Sequence, residues 1–443
     1  MADVWVVAGA GFGDEGKGSI VDHITRREGA KLVVRYNGGA QAGHNVVTSD
    51  GRHHVFSQFG SGTLAGALTH LSRYMLVNPL SMVAEAKHLA EIGVPEALSM
   101  VTVDQEALVT TPFHVSLNRI REMSRRTKQY GHGSCGMGIG ETATFALTHP
   151  EQALCMGDLQ HPSQLREKLA FVQDLFAQEA DTLHDVSSVD VTAEDRRILH
   201  DSDLVDELVH RYLKFLQSGV QIVDGTFLPM ALQGDPVIFE GAQGVLLDED
   251  WGFHPYTTHS NCTYQNADQL LAGYSGRVHK VAVIRAYHTR HGAGPLPTEA
   301  PELQEVFREN HNTTTPWQQG FRVGYFDLLL GRYARRALGP VDGVALTHLD
   351  RVHGIQQVCV GYRWPWKDEQ SEIPRVTRAE YERVLQVHQQ ANVPYQHPLC
   401  TFVKPRYDAL PDRAHLVSKV EEAFQAPVVI QSHGPRAEDK HPC

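Results

Sequence analysis

The opening 36 residues set apolar runs against glycine-rich breaks in the pattern of a parallel sheet. Val4–Ala8 is a continuous apolar run of the kind found in strands covered on both faces. Lys17–Arg27 spaces its apolar residues helically and meets a stop at Gly29. Lys31–Tyr36, "KLVVRY", reads as a second strand. Strand, glycine loop, helix and strand make a βαβ unit, so an α/β fold with a large, mainly parallel central sheet and flanking helices is expected. Short apolar strands recur at Val237–Phe239, Lys280–Ile284, Val344–Leu346 and Val428–Ile430. Helices fill the middle: Leu165, Leu169, Val172 and Leu175 fall at helical spacing, as do Leu204, Leu208, Tyr212 and Leu216, with Gly219 as a stop. Between them "ADTLHDVSSVDVTAEDRR" is polar and reads as a surface connection. The end, from about 436 to 443, reads as a flexible tail. No repeat or linker interrupts the chain, so one domain over 1–443 is expected, with helical insertions around 80–230.

Composition narrows the function classes. A net charge of −12 argues against nucleic acid and against an anionic membrane surface as partners. No apolar run approaches a membrane span. The 26 histidines are scattered, without an HExxH, so a histidine metal site is not expected. Six cysteines (Cys135, Cys155, Cys262, Cys359, Cys400 and Cys443) form no CxxC and read as free thiols of a reducing compartment. No signal peptide is read ahead of the first strand, so a cytoplasmic location is expected.

The chemistry concentrates in glycine-rich breaks behind strands. "GAGFGDEGKGS", Gly9–Ser19, has five glycines and Lys17 at the start of a helix, the setting in which backbone N–H groups receive a phosphate. Unlike the ordinary phosphate loop, Gly18 rather than Ser or Thr follows Lys17, and Asp14 and Glu15 stand inside. A carboxylate there needs a magnesium ion, or a proton that Asp14 takes from a substrate. "VVRYNGGAQAGHNVV", Val33–Val47, sets His44 on a glycine hinge after the second strand, where an imidazole suits acid or donor work. "GHGSCGMGIGET", Gly131–Thr142, offers Ser134 and Cys135; by itself it is as much a flexible loop as an anion site. "FEGAQGVLLDEDWGFHPYTTHSNCT", Phe239–Thr263, ends a strand with Gln243 and continues as a polar loop with Thr257, Thr258, Ser260 and Asn261. Asp350 in "LTHLD" could accept two N–H bonds from a guanine edge, although an exposed helix cap is the plainer reading.

These blocks, in this order from residue 4 to about 436, resemble the adenylosuccinate synthetase family. "GFGDEGKGSIVD" is similar to its W-G-D-E-G-K-G signature, and "VVRYNGGAQAGH" to V-R-[FY]-x-G-G-x-N-A-G-H. "EGAQGVLLDEDWGFHPYTTHSN" is similar to E-G-A-Q-G-x-L-L-D-x-D-x-G-T-[YF]-P-[YF]-V-T-S-S-N, and "RAYHTRHGAGPLPTE" to K-A-Y-x-T-R-V-G-x-G-P-F-P-T-E. The resemblance implies a phosphate-loop-like, GTP-binding fold and a GTP- and Mg2+-dependent carbon–nitrogen ligase. Asp14 would deprotonate a purine-like lactam and, with the Gly43 carbonyl, bind magnesium. His44 would assist transfer of the GTP γ-phosphate to the lactam oxygen, and Gln243 would steady that oxygen. An amine, aspartate in the family, would displace the phosphate. Gly13, Glu15, Gly16, Lys17 and Gly18 would hold the GTP phosphates. Thr347, His348, Asp350, Ser432 and Gly434 would form the guanine end. The family is homodimeric, which implies a homodimer here.

Departures cluster on the side of the other two substrates. The family's T-K-x-D becomes Thr347-His348-Leu349-Asp350, which keeps the guanine-reading aspartate. The family's G-T-T-G-x-G-I-G-P becomes Gly133–Glu141, with Ser134 first and Cys135 for the second threonine. Gln41 replaces asparagine, Thr258 is kept, and His149 stands about where a partner-reaching arginine falls. The donor loop T-T-G-R-x-R-R-x-G-W-x-D becomes Thr313–Asp327, keeping Thr314 and Arg322 but placing Gln318 and Gln319 where charge is expected. A neutral amide does not replace a bidentate guanidinium on a carboxylate. The expectation is therefore a divergent paralogue that joins a nucleotide or nucleoside-like acceptor to an amino-acid donor. Two other readings remain at this stage. One is a conventional synthetase in which Arg125, Arg126 or Lys128 replaces the lost arginines; the other is a GTP-binding regulator without catalysis.

Overall fold

The computed structural model describes residues 1–127, 133–183, 191–307, 320–363 and 404–442. The strands among them are β1 (Val4–Gly9), β2 (Leu32–Arg35), β3 (His44–Val47), β4 (His53–Phe56), β5 (Leu68–Leu71), β6 (Leu76–Val77), β7 (Val101–Asp104), β8 (Leu108–Val109) and β9 (Gln221–Val223). They continue with β10 (Val237–Glu240), β11 (Val278–Arg285), β12 (His288–His291), β13 (Phe321–Gly324), β14 (Gly343–Thr347), β15 (Gln357–Arg363), β16 (Lys404–Ala409), β17 (Val428–Ser432) and β18 (Lys440–Pro442). Ten form one sheet in the order β18-β17-β14-β11-β1-β10-β2-β5-β7-β9. All its pairings are parallel except β17 with β18. The expected α/β fold is the one found.

The central strands are continuous apolar runs because both faces are covered. Val4, Val6 and Ala8 of β1 point into one core with Val237, Phe239, Ala282, Ile284 and Leu346. Val7 points into the other, with Ile20, Val21 and Ile24 of helix α1 (Lys17–Glu28) and Val33 and Ile238. Helix α1 starts on Gly16 at φ 88° and ends on Gly29 at φ 65°, whose N–H caps Thr25 O; Arg26 and Arg27 in its last turn suit the negative end of the dipole. A third core lies among the helices between 79 and 216, where Leu165, Leu169 and Val172 meet Phe113, Leu117, Leu208 and Tyr212. Most of the inserted helices thus pack among themselves and against β5 and β7. No described helix is long and apolar enough to cross a membrane.

Two local expectations are corrected. The chain end is not a loose tail: residues 440–442 are β18, paired with β17, and Lys440 is buried with Nζ donating to Gly434 O and Arg436 O at 2.8 Å each. The polar stretch 180–197 holds more than a connection, since Ala193–His200 is a helix with Leu199 buried; residues 184–190 lie outside those described. Cys135, Cys155, Cys262 and Cys359 are free thiols.

Candidate active site

The glycine-rich breaks after β1, β2 and β10 leave the carboxyl ends of adjacent strands, and the register gathers them at one edge, whereas the stretch Gly131–Thr142 follows the helix Pro112–Thr127. The loop after β1 meets the loop after β10: Leu246 N donates to Gly11 O at 3.0 Å. The loop after β2 joins the same group through Asn37, whose amide donates to Ala242 O at 3.1 Å and Asn261 O at 2.9 Å and accepts from Ala242 N at 2.6 Å. The end of β14 closes the other side, with Thr347 Oγ1 donating to Glu15 O at 2.6 Å. Such a crevice at the carboxyl ends of parallel strands is where α/β folds bind ligands.

The two carboxylates in the first loop have separate jobs. Glu15 turns inward, 2% exposed, and accepts from Gly11 N at 3.0 Å, Gly13 N at 2.8 Å and Lys17 Nζ at 2.5 Å. It is the loop's own anion, set among backbone donors. Added side chains would collide with it: a Cβ on Gly244 would stand 2.2 Å from Gly11 O and 2.3 Å from Glu15 Oε1. Asp14 turns the other way. Its backbone is left-handed, φ 59°, and its carbonyl accepts from Arg285 Nε at 2.6 Å. Its carboxylate oxygen Oδ2 lies 3.2 Å from His291 Nε2, and a third of the side chain is exposed. Burial raises the Asp14 carboxyl, but His291, then Arg285 and Lys17, outweigh it and hold it below the ordinary value. Asp14 is therefore ionised at neutral pH.

His44, buried at the start of β3, lies with its Nδ1 2.5 Å from Glu240 Oε1 at the end of β10. Glu240 also accepts from Ser61 N at 2.9 Å and from Ser61 Oγ. The register of β2 on β10 sets Arg35 opposite Glu240. Burial pushes the Glu240 carboxyl up, yet Arg35, His44 and Ser61 together hold it at about 2. Burial pulls His44 below its ordinary value, only partly offset by Glu240. The ionised glutamate thus fixes the Nδ1–H tautomer and leaves Nε2 for the ligand. Gln243, also left-handed at φ 56°, follows three residues after Glu240, and its buried Oε1 has no hydrogen-bond partner in the protein. A buried amide oxygen without a protein partner is open to a donor from a ligand.

At the far side, His348 is left-handed, φ 59°, its Nδ1 3.0 Å from Thr347 Oγ1 and its ring edge-on to Tyr287. Burial, then Arg285, Arg351 and Lys440, keep it neutral. Asp350 is exposed two residues on, and Ser432 Oγ donates to Gly434 O at 3.2 Å. Gly13, Gly16 and Gly43 lie in the connecting turns, and Gly18 is in the first turn of α1.

The remaining described candidates are uncharged apart from Arg322. Gln41 has both side-chain polar atoms buried without a partner. Ser134 Oγ donates to Asn118 Oδ1 at 2.8 Å, and burial raises the Cys135 thiol, which stays protonated. Thr258 is anchored through its N–H to Leu247 O at 2.7 Å. Arg322 is engaged within the protein: Nε with Gly292 O at 3.0 Å, Nη2 with Gly294 O at 2.6 Å and Nη1 with Glu299 at 2.7 Å. Thr314, Gln318, Gln319 and Lys128 lie outside the described residues. Sequence reasoning missed Glu240 and His291, which touch His44 and Asp14, and Arg35, whose charge acts on Glu240 from the neighbouring strand. Glu240 ends a strand just before Gln243, and a carboxylate at a buried strand end was the available signal.

The fold and the convergent loops define a nucleotide-binding α/β enzyme with an ionised aspartate and a glutamate-braced histidine at one crevice. A family model for adenylosuccinate synthetase matches residues 6–441. Adenylosuccinate synthetase of Neisseria meningitidis serogroup A is 31% identical over 447 aligned positions, covering 99% of this chain and 98% of the relative. That of Proteus mirabilis is also 31% identical, over 98% and 97%. The solved, fully ligated adenylosuccinate synthetase of Plasmodium falciparum superposes with a TM-score of 0.78 at 21% identity, covering 99% of each chain. The cyanophage S-2L succinoaminodeoxyadenylate synthetase (PurZ), solved with dGMP and with dATP as energy donor, gives 0.61 at 16% identity, over 100% of this chain and 95% of that one. The chain belongs to the adenylosuccinate synthetase family. It is a GTP-dependent carbon–nitrogen ligase of that type.

Proposed function

We propose that this ligase activates a purine-like lactam in the family's manner but serves an altered substrate pair. Asp14 takes the lactam proton, the lactam oxygen forms a bond to the γ-phosphorus of GTP, and the bond to the β-phosphate oxygen breaks, releasing GDP. An amine then bonds to the ring carbon and phosphate leaves. A lactam oxygen departs poorly by itself and readily as phosphate. His44, neutral before the nucleotide binds, gains a proton on Nε2 once the triphosphate brings negative charge, and donates to the transferring group while Glu240 balances the imidazolium. The orphaned Gln243 amide meets the lactam.

Glu15 and Lys17, with Gly13, Gly16 and Gly18, shape the triphosphate loop, and Thr347, His348, Asp350, Ser432 and Gly434 the guanine end. The Asp14 carboxylate and Gly43 carbonyl are hard oxygen donors suited to magnesium. Magnesium held by one or two protein oxygens takes the rest of its ligands from phosphate and water. Magnesium there would neutralise charge on the transferring phosphate.

Gln41, Ser134, Cys135 and Thr258 bring no charge to the acceptor, and Arg322 is held by its own loop. Both points favour an acceptor and an amine other than the family's usual pair, with aspartate the first amine to test. That the fold admits other purine nucleotides is in keeping with the phage relative. A homodimer in the cytoplasm completes the reading.

The observation that carries it is the pairing of an ionised Asp14 with the Glu240-braced His44 at one crevice, which a mere GTP binder has no use for. The test is phosphate release with GTP, magnesium, inosine monophosphate and aspartate, with products weighed by mass spectrometry. A product of adenylosuccinate mass at rates typical of enzymes, on the order of 1 per second or faster, refutes the altered substrate pair. Retained GTP binding without product supports it.

A further inference from the structure

We propose that His291 is a positioning residue for Asp14: its Nε2–H holds one carboxylate oxygen and leaves the other to take the acceptor's proton. The inference rests on Asp14 being the base.

Asp14 sits at φ 59°, a conformation that a residue with a side chain holds only when its surroundings impose it. It is gripped from two sides. Arg285 at the end of β11 holds its carbonyl at 2.6 Å, and His291 at the end of β12 meets its Oδ2 at 3.2 Å. His291 is itself set rigidly. It pairs opposite Phe321 of β13, whose ring meets the imidazole edge-on at a centroid distance of 4.9 Å. The turn that follows is pinned by Arg322, through the carbonyls of Gly292 and Gly294, with Glu299 behind the guanidinium. One line of support therefore runs from Glu299 through Arg322 and the turn to His291 and the Asp14 carboxylate. The resembled family motif reads T-R-V-G where this chain has Thr289-Arg290-His291-Gly292. Valine has no polar atom to offer a carboxylate, so this grip comes from a departure of this chain.

Two measurements test it. The first needs no substrate: nitrogen NMR of histidine-labelled protein, with the His291 signal assigned by its loss in His291→Val. The proposal expects a protonated Nε2 that shifts in Asp14→Asn; a signal indifferent to Asp14→Asn overturns it. The second is turnover with GTP, magnesium, inosine monophosphate and aspartate. His291→Val is expected to lower kcat about 10- to 100-fold, the cost of a misplaced catalytic group, with the GTP KM and the melting temperature unchanged. His291→Gln, which keeps an N–H donor, is expected to recover most of the loss. The double variant should be no slower than Asp14→Asn alone. Wild-type kcat in His291→Val overturns the proposal, as does a loss that glutamine does not rescue and that tracks weakened GTPγS binding. Full activity in Asp14→Asn instead defeats the base reading itself. If the inosine monophosphate and aspartate pair does not turn over, the NMR result alone decides.

Discussion

Replacing Glu240 by glutamine removes a charge from the least exposed point of the site while keeping its shape. The carboxylate is fully buried and moves from its ordinary 4.5 to about 2 on folding. At about 1.4 kcal/mol per unit, the ionised form contributes about 3 kcal/mol at neutral pH. Because the folded-state value is depressed, that contribution is complete above about pH 4.5 and disappears as the pH falls toward 2. Glutamine can still accept from Ser61, but Arg35 and His44 lose their anion. Glu240→Gln is therefore expected to lose about 3 kcal/mol at pH 7.5, with the gap to wild type narrowing by about 1 kcal/mol at pH 4. Urea unfolding followed by tryptophan fluorescence, run at both pH values, measures the gap. GTP-dependent turnover should fall with it, because His44 no longer has a counter-charge for its proton. Equal urea midpoints at pH 7.5, or a gap that ignores acidification, would refute the charge argument.

Three buried histidines make the fold acid-sensitive. Burial pulls His70 and His288 to about 4 and His114 to about 3, so their neutral forms stabilise fully above about 6.5 and progressively less below it. Their combined loss between pH 7.5 and pH 5 is about 6 kcal/mol, and a histidine-to-glutamine series followed by urea unfolding at both pH values should show the sensitivity shrink with each replacement. Asp327 behaves oppositely: burial lifts it to about 6 although it caps its helix through Leu329 N and Leu330 N and meets Tyr362. Its ionised form is a liability above pH 6 that vanishes as the pH falls toward 3.8. Asp327→Asn should match or exceed wild-type stability at pH 8, by up to about 3 kcal/mol, and lose that advantage by pH 4; a large loss at pH 8 would refute this. Gly18→Ala places a Cβ 2.8 Å from His44 Cβ and 2.9 Å from its carbonyl carbon. It should cost about 1 to 3 kcal/mol and lower turnover more than GTP affinity, as steady-state kinetics beside calorimetry would show.

The parallel strands were legible because strands covered on both faces are built on unbroken apolar runs, and β1, β2, β10, β11, β14 and β17 each hold one, such as Val281–Ile284 in β11 and Val428–Ile430 in β17. β18 was not, because Lys-His-Pro has no apolar run; it joins the sheet through backbone pairing and a lysine whose amine is satisfied by carbonyls. The helix Ala193–His200 hid for a similar reason, with few buried positions among many charges. At the site, the glycine loops and Asp14, His44 and Gln243 could be picked out, since each stands behind a strand. Their partners could not. Glu240 reaches His44 across 196 positions and His291 reaches Asp14 from another strand pair, and only the sheet order brings them together. Arg322 could be named but not its engagement, because the carbonyls it holds lie 28 and 30 positions away and only the pairing of β12 with β13 brings them to it.

The order of strands also sets a timetable for the growing chain. β1 lies between β10 and β11, whose residues begin at Val237 and Val278. At about 5 to 20 residues per second, Val4–Gly9 is in being roughly 10 to 50 s before β10 has been made. Such distant pairing belongs to slow folding, with apolar strand exposed meanwhile. The loop that carries Asp14, Glu15 and Lys17 is translated well before the strands that shape it. A cell making this enzyme must therefore shelter the apolar run Val4–Val7 until Val237 and Val278 have followed.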